Sequence, residues 1–65
     1  MGYSLDDYKQ NKNTTDEIKK SAEEILGFID SIKRNYYSMN SVGMCSEAII
    51  LEAQSIIEAV KKYKY

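Results

Sequence analysis

The sequence predicts an all-α fold, an antiparallel two-helix hairpin with coiled-coil-like packing, and three observations carry that prediction. Ile18, Ala22, Ile25, Ile29, Ile32, Tyr36 and Met39 recur at alternating steps of four and three, the spacing of a single apolar seam along a helix. Ile49, Ala53, Ile56, Val60 and Tyr63 repeat the pattern in the tail half of the chain. Between the two runs, Asn40, Ser41, Val42 and Gly43 interrupt the periodicity, and a short interruption makes the flanking helices antiparallel neighbours. The 65 residues contain no proline, so nothing breaks either helix internally.

Taken in order, residues 1–13 are polar and without sustained periodicity, and they read as a flexible N-terminal arm. Ser4 is placed to cap a short turn through Leu5, Asp6, Asp7 and Tyr8. The helical hairpin then occupies residues 14–65. Its first helix is expected over 15–40, opened by Thr14 with Glu17 three residues later, the pairing of a capping box. Asp16 and Glu17 suit the positive end of the helix dipole, and Lys33 and Arg34 suit its negative end. Leu26 and Phe28 flank the seam, with Gly27 opposite it.

The turn is expected over 41–45, with Gly43 in the left-handed conformation that reverses a chain after a helix. The second helix is expected over 46–63. Ser46 is its cap, Glu47 lies in its first turn, and Lys61, Lys62 and Lys64 gather at its end.

Composition excludes several kinds of chemistry. Nine basic against ten acidic residues leave a net charge of -1, so no global field draws in nucleic acid or an acidic membrane. There is no histidine, and Cys45 is the single cysteine. A thiolate or imidazole metal site, an internal disulfide and Ser-His-Asp or Cys-His catalysis therefore all lack their residues. Gly2, Gly27 and Gly43 are too scattered for a phosphate loop, and no cofactor is implied. The longest apolar run, 48–51, is far too short to span a bilayer, and the chain opens on polar residues, so a cytoplasmic location is expected.

Ile50 and Ile57, seven residues apart beside the second seam, widen its apolar face beyond what one neighbouring helix covers. Together with Phe28, Leu51 and Gln54 they form the expected surface for a partner or for a second copy. So small a chain buries little surface, and dimerisation into a four-helix bundle is one way to reinforce it. Carboxylates offer the remaining route to catalysis. Glu47, Glu52 and Glu58 are mostly read as solvated or paired with basic groups, and Cys45 as a small semi-buried residue. Tyr36, Tyr37, Tyr63 and Tyr65 read as amphipathic edge packing at the helix ends.

The pattern from Ile29 to Tyr63 resembles the stage-zero sporulation E-like family, small helical hairpins that dephosphorylate the aspartyl-phosphate of a sporulation response regulator. Ile29, Ile32, Lys33, Tyr36 and Met39 resemble the family's first helix, and Gly43-Met44 resembles its Gly-Leu or Gly-Met turn. A Ser-capped helix ending in Tyr63 follows. The family signature Ser-Gln-Glu-Leu-Asp aligns with Ala53, Gln54, Ser55, Ile56 and Ile57, where only Gln54 is identical. The resemblance implies a response-regulator receiver domain as partner. Ile57 stands where the family has aspartate, so catalysis is expected to be lost or altered, with Gln54 and Glu58 the remaining polar candidates. The alternative is a homodimeric hairpin that serves as an adaptor or a small phage or plasmid regulator, without activity.

Overall fold

The computed structural model describes residues 3–65. Met1 and Gly2, the start of the expected arm, lie outside the described residues. Two helices, α1 (Leu5–Arg34) and α2 (Met39–Val60), pack against each other as a hairpin 55 Å long. Among the described residues there is no strand, as the two seams require.

Helix α1 begins ten residues before the expected start at residue 15. Ser4 caps it: the Asp7 amide donates to Ser4 Oγ (3.2 Å) and the Ser4 amide donates to Asp7 Oδ2 (3.2 Å). Residues 5–13 are thus the first turns of a capped helix rather than a loose arm, and Thr14 lies inside the helix, 3 % exposed, instead of capping. Asp7, Asn11 and Thr14 continue the Ile18 seam upstream at steps of four and three. They face inward or partly inward, but their polarity hides the period. Ile18, Ala22, Ile25, Ile29 and Ile32 are all half-buried along the same line, as expected.

The chain reverses at Asn35–Ser38, six residues before the expected turn over 41–45. The Asn35 amide donates to the Ile32 carbonyl and the Ser38 amide to the Asn35 carbonyl. Tyr36 and Tyr37 form the exposed tip, and Met39 opens α2 at 87 % exposure, so neither Tyr36 nor Met39 extends the first seam. Ser38, not Ser46, caps α2: its Oγ accepts from the Ser41 amide (3.2 Å). Gly43 lies inside α2, and no glycine among the described residues has a positive φ, so the left-handed turn at Gly43 is overturned.

Along α2 the inward line runs Val42, Cys45, Ile49, Glu52, Ala53, Ile56, Ala59 and Tyr63. Val60, expected in the seam, is 48 % exposed while its neighbour Ala59 is 5 % exposed. The helix ends at Val60 rather than at residue 63, and the tail is held by polar contacts to α1. The Asn11 side-chain amide donates to the Lys64 carbonyl (2.7 Å), and its Oδ1 accepts from the Lys64 amide (2.8 Å). Gln10 Nε2 donates to the Lys62 carbonyl, and the Thr15 and Tyr63 hydroxyls lie 2.7 Å apart. Thr15 also donates to the Asn11 carbonyl, so the proton shared with Tyr63 comes from the tyrosine. These bonds give the first three turns of α1 a partner that the apolar seam does not reach.

Candidate functional site

Each residue of an α-helix is turned about 100° from the one before. In an antiparallel pair, the residues just after each seam position therefore line one side of the hairpin, and those just before line the other. The second side is fixed by contact. Glu17, Glu24, Ser55 and Glu52 share a shallow cleft of about 320 Å³, and the Lys62 ammonium lies 3.4 Å from the Glu17 carboxylate.

The Glu24 carboxyl is raised above its ordinary range, first by a hydrogen bond shared with Glu52 and second by repulsion from that same carboxylate, while Lys20 pulls the other way. Glu52 is partly buried and faces the neighbouring helix instead of lying free in solvent. Glu58 is exposed and paired with Lys61 at 3.3 Å.

The residues expected to form the interface divide around α2. Ile50 and Ile57, 55 % and 56 % exposed, follow Ile49 and Ile56 and so occupy the side opposite the cleft, together with Leu26, which follows Ile25. Leu51 precedes Glu52 and takes the cleft side, at 64 % exposure; Phe28 precedes Ile29 on the same side and is half-buried. Gln54 sits outermost, between the two sides. Glu47, Leu51, Gln54 and Glu58 follow one another at steps of four and three, and all are exposed. They form a ridge facing directly away from α1, on which Gln54 and Glu58 are neighbours one turn apart.

Sequence spacing did not reveal a second regularity of α2. Met39, Gly43, Ser46, Ile50, Ala53, Ile57 and Val60 step by four and three without interruption, a line of small and apolar residues beside the inward seam. It becomes visible only with the turn moved to Asn35–Ser38, which brings Met39 and Gly43 into the helix.

Cys45 lies one turn and a half inside α2, half-buried toward α1, rather than at a helix start. Tyr36 and Tyr37 sit at the closed end, and Tyr63 and Tyr65 at the open end beside the start of α1. Among the described residues no helix is long and apolar enough to cross a membrane, and no cluster of metal-ligating side chains occurs. Comparison with family models, curated proteins and solved structures finds no match for this chain.

Proposed function

We propose that this chain is a small cytoplasmic regulatory module that binds a response-regulator receiver domain on the outward ridge of α2 without hydrolysing its phosphoryl group. The observation that carries the reading is the exposure of Leu51, 64 %, beside Gln54 on a ridge pointing away from the hairpin partner. An apolar side chain held there by a rigid helix is a docking surface in search of a mate. Gln54 offers an amide that both donates and accepts, and Glu58 adds a carboxylate one turn later. The receiver domain as partner rests on the resemblance around Gln54. The inactive reading rests on Ile57, which can neither orient water nor accept a proton.

The resemblance carries less weight at its turn, because Gly43-Met44 is helical here. The ridge is unaffected by that shift, since its residues keep their spacing on one continuous helix.

The test measures binding to purified receiver domains together with the decay of their phosphoryl group. Binding is expected, with Leu51→Lys and Gln54→Ala each weakening it about tenfold, and with decay unchanged by the wild type. Acceleration by the wild type that disappears in Gln54→Ala or Glu58→Ala would show retained catalysis. Binding to no receiver domain would overturn the reading.

A further inference from the structure

The hairpin by itself has almost no interior. Ala59 is the single buried apolar residue among the described residues, and no side chain is completely enclosed. The chain exposes 5218 Å², whereas a compact protein of 7.5 kDa exposes about 4,200 Å². The excess of about 1,000 Å² is comparable with the roughly 800 Å² that each partner contributes to a standard stable interface. A second copy laid against one side would remove an area of this size.

The line Met39, Gly43, Ser46, Ile50, Ala53, Ile57 and Val60 shows which side that is. It is as regular as the seam that already joins α1 to α2; on α1 the same side carries Leu26 among the charged Lys19, Glu23, Asp30 and Lys33, so α2 supplies the apolar part of the contact. Gly43 lies on this line and suits a close contact there, although Gly27, on the outward face of α1, is equally open. A glycine inside a helix weakens it relative to alanine, yet its φ is not positive and a Cβ there would meet nothing within 4 Å. Nothing within the single hairpin requires glycine at this position. Close approach by another backbone or a bulky side chain would.

We infer that two copies pair through this line, with α2 crossing the α2 of the second copy antiparallel about a two-fold axis near Ile50. Gly43 lies seven residues before Ile50 and Ile57 seven after, so this axis sets each Ile57 over the Gly43 of the second copy, bulk against space. A parallel pairing would instead place glycine on glycine and leave a gap. The interface covers Ile57, the residue the resemblance aligns with the family's aspartate, but leaves the Leu51–Gln54–Glu58 ridge open, so the inference goes beyond the proposed function and does not depend on receiver binding there.

Sedimentation equilibrium from micromolar to millimolar concentration tests the pairing. The wild type should be a dimer. Gly43→Leu, which improves the helix and has open space in the single hairpin, should weaken association about tenfold or more by overfilling the contact. Ile57→Lys should act in the same direction, and Leu51→Lys should leave association unchanged. In a Cys45→Ser background, mixing Gly43→Cys with Ile57→Cys chains should give a mixed disulfide, while each alone gives little. A wild type monomeric throughout would overturn the inference, as would a dimer weakened by Leu51→Lys but not by Gly43→Leu or Ile57→Lys. Cross-linking of each variant with itself and not with the other would overturn the antiparallel arrangement. None of these outcomes bears on receiver binding, which is read separately through Leu51 and Gln54.

Discussion

Two carboxylates facing each other across a helical hairpin oppose its closure. Glu24 and Glu52 share a hydrogen bond that needs one proton, and the Glu24 carboxyl is accordingly raised, with Lys20 only partly offsetting the repulsion. Between the unfolded and folded pKa of Glu24 the folded chain holds more protons, so stability falls as pH rises through that window. Glu24→Gln keeps a hydrogen-bonding group and removes the charge. Its melting temperature should exceed that of the wild type by a small margin at neutral pH, small because the pair is exposed. The margin should shrink in acid, where the wild-type carboxyl is itself protonated. Thermal unfolding followed over pH measures this, and a margin independent of pH would assign the effect to something other than the Glu24 proton. The inward position of Glu52 is hidden in the sequence, where it reads as a solvated or paired carboxylate, because a glutamate gives no apolar signal even when it faces the neighbouring helix.

At the scale of the helices, the hairpin was legible and its boundaries were not, for one physical reason at both ends. Ile18 to Ile32 and Ile49 to Ile56 announce themselves through apolar spacing, and all are half-buried where expected. Where inward positions are polar, as at Asp7, Asn11 and Thr14, the period becomes invisible; Asn11 is bonded to the tail and Asp7 to the Ser4 cap. At the turn the error runs the other way. Tyr36 and Met39 stay in phase with the first seam after the helix has ended, so spacing alone carried it too far. The caps distinguish the two turn positions. Ser38 accepts the Ser41 amide, whereas Ser46 lies exposed within α2. Ser38→Ala should therefore cost about 1 kcal/mol in denaturant unfolding, and Ser46→Ala about 0.5 kcal/mol or less. Equal costs, or the reverse order, would restore the later turn. The candidate interface residues were found by the surplus width of the apolar face, but their division between two sides of the hairpin could be seen only once α1 gave the seam a direction.

For the whole molecule, shape and association make a joint prediction. The hairpin is a rod of 55 × 15 × 10 Å with a radius of gyration of 15.7 Å, long for its size because only one layer of contact joins the helices. A second copy can thicken this rod or lengthen it. Pairing through the Ile50–Ile57 line lays one hairpin on the other with helix axes 8–10 Å apart, as in other packed helices, and so adds mass close to the existing centre. At a given mass concentration the scattered intensity extrapolated to zero angle should double, while the radius of gyration rises by only about 1 Å. Joining end to end through the exposed Tyr36–Tyr37 tip would separate the two centres by nearly the rod length, and the radius would approach about twice that of the single hairpin. Small-angle X-ray scattering across a dilution series separates these outcomes. A doubled mass with a nearly unchanged radius places the contact along the side of the helices. A strongly lengthened particle would move it to the tip and leave the apolar line on α2 exposed.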